Sequence, residues 1–377
     1  MTNLDIAQQR LHNQLITQRT FEKPGDVVQW LGAVQAQDYA AGKWAVGLRL
    51  QGATDDDIEQ AFVDGAILRT HLMRPTWHFV SPVDIRWILT LTAPRVNAVN
   101  AHWYRKLELD DAIFMRSNAA LAKALQGGKQ LTRPELVSVL KLAGIATDDL
   151  QRFTYIMMRA ELDGIVCSGA RRGKQFTYAL LDERAPQAKT LDCDEALAEF
   201  ARRYFTGHGP ATLQDFVWWS GLMVADARAG LEMVKSQLMH EAIDGQTYWF
   251  SPSTPPAKDL SQTVYLLPNY DEYIVGYKDR SAVFDASHTK KLDPRGSILF
   301  SHTIVLDGRV VGTWTRTMKK DAVMITPNLF IPLNKAETRA FVASANRYGA
   351  FLDRSVTTPH GYKPGASGMT RPARPQA

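Results

Sequence analysis

The stretch Trp30-Leu31-Gly32-Ala33-Val34-Gln35-Ala36-Gln37-Asp38-Tyr39 places two glutamines one residue apart at the end of an apolar run. Apolar residues before it recur at three- and four-residue spacing, which predicts the buried face of a helix: Val27, Val28, Leu31 and Val34. A second apolar run begins at Trp44. The Gln-Ala-Gln element is therefore predicted to lie at a junction between two packed helices.

Gln35 and Gln37 are the first candidates for chemistry. On a regular helix, residues i and i+2 point well apart, so the helix must end or distort here if both amides are to face one place. Each amide carries a donor and an acceptor, and a rigidly held pair can therefore position one water molecule. The alternative is that both side chains only cap the helix end or face solvent.

The composition is that of an ordinary folded protein. The 377 residues are 45% hydrophobic and 22% charged, and no apolar run approaches the roughly 18 residues needed to span a bilayer. The first residues lack a secretory signal, and Cys167 and Cys193 lack metal-site spacing, so we expect a cytoplasmic protein. A net charge of +5 and a pI near 9.1 permit a nucleic-acid partner without requiring one.

The segment 67–80 alternates and is rich in aromatic and β-branched residues, which predicts a two-stranded hairpin bending near Arg74-Pro75. Helices followed by such a hairpin outline a winged helix. Its polar side chains are candidate contacts to the DNA backbone beside the glutamines: His71, Arg74, Thr76 and His78. The alternative is an ordinary wing strand whose histidines bond buried carbonyls. No metal is predicted, because two histidines fall short of the three or four ligands a site needs.

The same outline of helices and a hairpin recurs twice more, so we predict three winged-helix units at 1–110, 111–190 and 191–256. In the second unit the hairpin tip carries Arg171, Arg172 and Lys174, cations that suit phosphate contact or a solvated loop. In the third, a Ser220-Gly221 turn separates two helical segments, as in a helix-turn-helix.

A period of two begins at Val264 and predicts strands at 264–268, 297–306, 309–316 and 321–326. The dipeptide Asp307-Gly308 between alternating runs predicts a tight hairpin. A helix over 335–348 follows. We therefore predict an α+β, mostly helical fold, in which a small antiparallel β-barrel or sheet at 257–356 completes three tandem winged helix-turn-helix units. The tail 357–377 is predicted to be disordered or extended.

Other charged residues have a structural and a chemical interpretation. Asp271 and Glu272 follow a buried strand and would act as a general base or fix an arginine such as Arg280, the structural role being favoured. Lys43 would be a Schiff-base nucleophile only if it were desolvated, which nothing in the sequence indicates. Arg316 ends a predicted strand and is a further candidate DNA contact.

These residues together resemble the AlkZ-like family of bacterial DNA glycosylases, which lies within a wider group of winged helix proteins that includes YcaQ. Four sets of residues carry the resemblance: Gln35-Ala36-Gln37; Arg69-Thr70 with Met73-Arg74 and Thr76-Trp77-His78; Gly209-Pro210-Ala211-Thr212 with Asp215-Phe216 and Trp219-Ser220-Gly221-Leu222; and Leu267-Pro268 with Tyr270-Asp271-Glu272. The YcaQ branch has an aspartate where this chain has Gln37. Pro75 replaces the usual glycine, and His71 the usual aromatic residue.

The resemblance implies three winged-helix units and a β-domain around a DNA-sized cleft. It also implies monofunctional excision of N-alkylated purines, including bulky adducts and interstrand crosslinks, from double-stranded DNA. Gln35 and Gln37 would hold the water, with Asp271 and Arg69 in support, and no cofactor or obligate protein partner is expected. A cationic alkylated purine is already a good leaving group, so positioning and electrostatics suffice without a strong acid.

Two alternatives stay open at the level of the sequence. A winged-helix transcription factor without enzymatic activity needs only the helix-turn-helix units and the net positive charge. This hypothesis predicts a sequence-specific footprint on DNA. A lesion sensor that binds alkylated DNA without cleaving the glycosidic bond is the third hypothesis.

Overall fold

The computed structural model describes residues 1–252, 263–292 and 297–357. The predicted tail beyond residue 357 and the first residues of the predicted β-domain, 257–262, lie outside these ranges. Over the described residues the fold is a mixed α+β arrangement.

Helices and strands are interspersed along the described residues. The helices are α1 (Asn3–Asn13), α2 (Pro24–Leu31), α3 (Tyr39–Gly47), α4 (Asp55–Val63), α5 (Ile85–Lys106), α6 (Asp111–Leu125), α7 (Arg133–Leu142), α8 (Leu150–Leu162), α9 (Leu181–Arg184), α10 (Cys193–Gly207), α11 (Leu213–Ser220), α12 (Val224–Val234), α13 (Glu272–Val275) and α14 (Lys335–Phe351). The strands are β1 (Val34–Gln35), β2 (Leu68–Leu72), β3 (Thr76–Val80), β4 (Leu131–Thr132), β5 (Val166–Ser168), β6 (Thr177–Leu180), β7 (Met239–Ile243), β8 (Gln246–Phe250), β9 (Val264–Leu267), β10 (Thr303–Leu306), β11 (Arg309–Met318), β12 (Ala322–Leu329) and β13 (Ser355–Thr357).

The first sheet holds the glutamine stretch. Strands β2 and β3 form the predicted hairpin, with its bend between Leu72 and Thr76, so that prediction is confirmed. Strand β1 adds to the free edge of β3 and gives the order β1-β3-β2. Gln35 therefore lies on a strand between two helices rather than at the end of a helix. The predicted helices on both sides of the glutamine stretch are present as α2 and α3. The prediction that the stretch itself is the end of a helix is wrong, because Gln35 lies on β1.

Two further hairpins follow helices, as the repeated outline predicts. Strand β6 pairs with both β5 and β4 in a three-stranded sheet, and β7 pairs with β8. Between α11 and α12, Gly221 takes a left-handed conformation with φ +72°, which makes the predicted tight turn. The interpretation of these regions as winged-helix units, with the boundaries given above, stays a prediction.

The last sheet has five strands in the order β13-β12-β11-β10-β9. Its pairs are antiparallel except β12 with β13. Asp307 (φ +49°) and Gly308 (φ +90°) form the predicted tight turn between β10 and β11. The strand predicted over 297–306 is wrong in its first half, because Ile298–Phe300 form a 3₁₀ turn and β10 begins at Thr303.

One apolar core joins the two ends of the chain. Residues of α1 to α4 share a buried cluster with β9 to β12 and α14. Trp44 of α3 shows the contact directly, since its Nε1 donates to the carbonyl of Leu266 at 2.8 Å and its ring lies 5.0 Å from that of Tyr348. The glutamine stretch is thus supported by the C-terminal sheet. No helix in the described part of the chain is long and apolar enough to cross a membrane.

Candidate functional site

The stretch around Gln35 and Gln37 is extended because its two ends are fixed. Gly32, with φ +77°, ends α2. Asp38 starts α3 by accepting a hydrogen bond from the Ala41 N–H at 3.1 Å. Between them the N–H of Ala36 donates to the carbonyl of Trp77 at 2.8 Å and continues the pairing of β1 with β3. Alternate residues of an extended segment face the same side, which removes the geometric difficulty a helix would pose.

Gln35 is held at both its backbone and its side chain. Its N–H donates to Glu272 Oε1 at 2.9 Å, and its Oε1 accepts from Arg74 Nη2 at 3.2 Å. Because a guanidinium only donates, the amide oxygen must face Arg74, which leaves the NH₂ group of Gln35 on the other side. The side chain is buried, with 6% of its surface exposed. The orientation of this amide is therefore fixed before any ligand binds.

Gln37 is exposed, and its amide is fixed in a similar way. Its Oε1 accepts a hydrogen bond from the backbone N–H of Trp77 at 3.1 Å. The oxygen thus faces β3, and the NH₂ group is left to donate elsewhere. The alternative left open by the sequence was that both side chains cap a helix end or face solvent. Neither glutamine caps a helix, because Asp38 performs that role, and only Gln37 is exposed to solvent.

Glu272, predicted to act as a general base or to fix an arginine, has a different role in the structure. It is fully buried, and besides the Gln35 N–H it accepts from Trp219 Nε1 at 2.8 Å and His208 Nε2 at 3.3 Å. Burial alone would raise its pKa, but the hydrogen bond and charge of His208 and the other donors outweigh burial and lower it. With its oxygens occupied and no solvent contact, Glu272 anchors β1 and is not placed to act as a general base.

Asp271 has the structural role that was favoured, but with a different partner. Arg49 donates to both of its carboxylate oxygens, at 2.8 and 2.9 Å, and both side chains are fully buried. The predicted partner, Arg280, instead donates to the carbonyls of Ile274 and Lys278. The only hint of Arg49 in the sequence is a lone arginine between leucines.

Arg69 supports the glutamine stretch from the opposite face of the sheet. Its Nε donates to the carbonyl of Ala36, the residue between the two glutamines, at 3.1 Å. Its guanidinium lies over the rings of Trp77 and Phe176, at 4.1 and 4.8 Å. Burial lowers its pKa to about 10, so it keeps its charge at neutral pH.

The register of the hairpin separates the four polar side chains that we had grouped together. Thr70 pairs with His78 and His71 with Trp77, so His71 and His78 lie on opposite faces. His71 is buried against α8, where its Nδ1 bonds Glu161, and its ring lies 3.9 Å from that of Trp77 on β3. It has no surface to offer to DNA, so the predicted contact is not supported for His71.

His78 is also buried, with 1% of its surface exposed, so its predicted contact with the DNA backbone is not supported either. Its Nδ1 lies 2.9 Å from the carbonyl of Thr76. Burial lowers its pKa to about 3, and the positive charge of Arg74 acts in the same direction. His78 is therefore neutral at physiological pH, and only the half-buried Arg74 and Thr76 retain some accessible surface.

Arg74 connects the hairpin bend to the helix-turn-helix region. Its Nη1 donates to the carbonyl of Trp218 at 3.1 Å. The neighbouring turn fits closely as well, because a Cβ added to Gly221 would lie 2.3 Å from the carbonyl oxygen of Met73. Gly221 is thus required both by its left-handed backbone and by this contact.

The cations predicted at the second hairpin tip are not equivalent. Arg171 is half-buried and pairs with Glu59 at 3.2 Å, which links the tip to α4. Arg172 is exposed and pairs with Glu135 at 2.8 Å. Lys174 is exposed. Lys174 is thus the best placed of the three to contact a phosphate.

Arg316 is half-buried and donates to the hydroxyl of Tyr348. The ring of Tyr348 lies 5.0 Å from that of Trp44 on α3, the helix that follows the glutamine stretch. The placement is compatible with the predicted contact of Arg316 with DNA near the glutamines.

Lys43 is not available as an amine nucleophile. It is buried, and its ammonium donates to Asp55 at 2.7 Å and to Glu59 at 2.8 Å. The amine is thus engaged by two carboxylates and is not directed at the glutamine stretch as a Schiff-base nucleophile would be.

Segments far apart in the sequence therefore meet at Gln35. The hairpin bend contributes Arg74, the helix-turn-helix region contributes Trp219, and α13 contributes Glu272, which lies 237 residues from Gln35. The arrangement presents two oriented amides on one face of a small sheet. Such a site can bind a small polar molecule, such as water, through hydrogen bonds from the two amides.

Residues 28–351 match the family described as DNA glycosylase AlkZ-like. The chain is 26% identical over 322 residues to the interstrand DNA cross-link repair glycosylase of Streptomyces sahachiroi, and the alignment covers 81% of this chain and 85% of that protein. The solved structure of Streptomyces sahachiroi DNA glycosylase AlkZ matches with a TM-score of 0.76 at 22% identity, over 95% of this chain and 100% of that one. The chain and that protein share a fold.

Proposed function

This chain belongs to the AlkZ-like family of DNA glycosylases, and we propose that it hydrolyses the N-glycosidic bond of N-alkylated purines in duplex DNA with a water held by Gln35 and Gln37. The observation that carries the proposal is the arrangement of the two amides. They lie on one face of an extended segment, and a donor fixes the oxygen of each.

The reaction needs little from the protein because the substrate is activated. A purine alkylated at N7 or N3 carries a positive charge. When its bond to the sugar C1′ breaks, the electron pair goes to the base nitrogen and cancels that charge. The water oxygen then bonds to C1′, and its proton leaves to solvent. The sugar passes through an oxocarbenium-like state, and the protein accelerates the reaction by placing the water in advance.

Amides suit this role better than carboxylates would. An amide is too weak a base to remove a proton efficiently, so it does not by itself promote attack on neutral, undamaged purines. It fixes the position of the water through hydrogen bonds alone. The contacts of Gln35 with Glu272 and Arg74 support this interpretation, because they hold the amide in one orientation.

The ion pairs of Lys43 with two carboxylates support a monofunctional enzyme. A bifunctional glycosylase attacks C1′ with an amine and then cleaves the strand. The one lysine near the glutamines in the sequence is paired with Asp55 and Glu59. We therefore expect an intact strand with an abasic site as the product.

Interstrand crosslinks are part of the proposed substrate range, together with bulky adducts. The curated relative is named for repair of interstrand crosslinks. A base crosslinked to the opposite strand cannot rotate fully out of the duplex, so its enzyme cannot rely on a closed base-binding pocket. The exposed position of Gln37 favours attack on a base that stays near the duplex.

The test is incubation of the full chain with duplexes that carry 7-methylguanine or an N7-linked interstrand crosslink, followed by mass analysis of the freed bases. We expect free alkylated purine and a strand that breaks only after alkaline treatment. Strand cleavage without alkali would contradict the monofunctional assignment. Sequence-specific binding without release of any base would favour the transcription factor that the sequence left open.

A further inference from the structure

The face of the sheet that carries Gln35 contains three buried polar atoms without a hydrogen-bond partner among the described residues: Thr70 Oγ1, Thr76 Oγ1 and His78 Nε2. They are neighbours, because Thr70 pairs with His78 across β2 and β3 and Thr76 precedes His78 by two residues. Buried polar atoms are rarely left without a partner, and ordered water commonly supplies it. This face therefore has the character of a water site.

His78 lies directly opposite Gln35. The two residues are a register pair of β1 and β3, and the Cβ atoms of such pairs lie about 4.5–5.5 Å apart. A molecule the size of water fits between the ends of two such side chains. The same water can therefore contact the amide of Gln35 and the imidazole of His78.

The hydrogen bond of His78 to Thr76 fixes which ring nitrogen carries the proton. Nδ1 lies 2.9 Å from the carbonyl oxygen of Thr76, and a carbonyl only accepts, so the proton is on Nδ1. The ring is neutral, because burial lowers its pKa to about 3 and the nearby charge of Arg74 adds to the effect. Nε2 consequently has a lone pair and acts as a hydrogen-bond acceptor.

An attacking water needs such an acceptor. It must direct one lone pair at C1′, so it accepts at most one further hydrogen bond and donates through its two O–H groups. The oxygen of Gln35 already accepts from Arg74 and that of Gln37 from the Trp77 N–H, and each amide oxygen keeps one further lone pair. One amide can therefore donate to the water through its NH₂ group while the other accepts one O–H group through its oxygen, which leaves the second O–H group of the water in need of an acceptor. His78 Nε2 has no hydrogen-bond partner among the described residues and can accept this O–H group.

We propose that His78 Nε2 is a third ligand of the water that attacks C1′, accepting a hydrogen bond from it beside the amides of Gln35 and Gln37. The proposal rests on the proposed function. Once the water oxygen has bonded to C1′, its proton passes to Nε2, and the imidazolium releases that proton to solvent. His78 thus acts in the reaction rather than at the DNA backbone.

Two substitutions separate this role from a structural one. In His78→Asn the amide nitrogen takes the place of Nδ1 and keeps the bond to Thr76, but nothing remains at the position of Nε2. In His78→Gln the longer side chain brings an amide oxygen to the position of Nε2. The single-turnover rate of 7-methylguanine release, the Kd for the same duplex and the thermal midpoint are measured for both variants and the wild type.

We expect His78→Asn to lower the rate by about tenfold, the value of one well-placed hydrogen bond, with the Kd changed less than about twofold. His78→Gln should recover most of the rate. A wild-type rate in His78→Asn, equal losses in both variants, or a loss of DNA affinity in place of rate would overturn the proposal. A wild-type protein that releases no base would contradict the proposed function instead.

A high-resolution crystal structure of the full-length wild type decides the inference independently of activity. We expect one water within hydrogen-bond distance of both His78 Nε2 and the Gln35 amide. A site without water, or a water bound to Thr70 and His78 but out of reach of Gln35, would overturn the proposal.

Discussion

At the scale of single residues, Gln35 owes its orientation to two charged groups, the fully buried Glu272 and the half-buried Arg74. Glu272 accepts the backbone N–H of Gln35, and Arg74 donates to its side chain. The hydrogen bonds of Glu272 to Trp219 and His208 explain why a carboxylate is tolerated there without solvent. The amide of Gln35 is thus positioned by contacts within the protein.

Replacing Glu272 by glutamine tests that positioning. Its oxygens face three donors, so an amide NH₂ in their place must oppose at least one of them. We expect a loss of about 1–3 kcal/mol in the free energy of unfolding and a slower release of base. Urea unfolding and single-turnover kinetics measure the two effects, and Glu22→Gln, at an exposed position, is the control.

The same variant gives a defined pH dependence. Because the pKa of Glu272 is lower in the folded state, its charge stabilises the protein above the ordinary glutamate range and loses that contribution as the pH falls through the lowered value. The stability gap between wild type and Glu272→Gln should therefore narrow in acid. A gap that widens below pH ~4 would contradict the assigned direction of the shift.

At the scale of elements, the close contact between the hairpin bend and the α11–α12 turn connects Arg74 to the rest of the site. Gly221 allows the contact in two ways, through its left-handed φ and through its missing Cβ. Gly245 has a similar φ, +76°, but a Cβ added there meets nothing within 4 Å. Gly245 is therefore a control for Gly221, because the two differ in the space around the Cβ position and not in the backbone conformation.

We expect Gly221→Ala to cost more stability than Gly245→Ala. Both substitutions place alanine in the left-handed region, at about 1–2 kcal/mol each. Gly221→Ala adds the clash with the carbonyl of Met73, about 1–3 kcal/mol more, and should also slow base release by shifting Arg74. Equal unfolding free energies for the two variants would show that the α11–α12 turn makes no close steric contact with the hairpin bend.

Much of this element level could be predicted from the sequence. The alternation over 67–80 and the Asp307-Gly308 dipeptide predict two hairpins that the structure contains. The strand β1 could not be predicted, since two residues show no period and its pairing depends on a neighbour 43 residues away. The grouping of His71 with His78 was wrong. The register of the hairpin decides which side chains share a face of the sheet, and that register depends on a three-residue bend.

At the scale of the whole molecule, the C-terminal sheet holds the N-terminal site together. Arg49 and Asp271 lie 222 residues apart and form a fully buried ion pair. No local pattern in a sequence indicates such a pair, which is why Arg280, close by in the chain, was the natural but wrong partner. The site exists only when both ends of the chain are folded against each other.

Replacing Arg49 by methionine should therefore destabilise the whole protein. Asp271 would stay buried without a cationic partner, at a cost of about 3–5 kcal/mol. The double variant with Asp271→Asn should lose less than the sum of the two single losses, because the residues are coupled. Additive losses, or a loss no greater than that of Lys141→Met in the exposed Lys141–Asp148 pair, would contradict this role.

The account as a whole depends on the two amides acting on one water. Its most direct measurement is the single-turnover rate of 7-methylguanine release by the double variant Gln35→Ala and Gln37→Ala, with folding checked by circular dichroism. We predict a fall of about a hundredfold or more, while duplex binding changes little, since positioned polar groups commonly contribute that much. A folded double variant that releases the base at the wild-type rate would contradict the central claim.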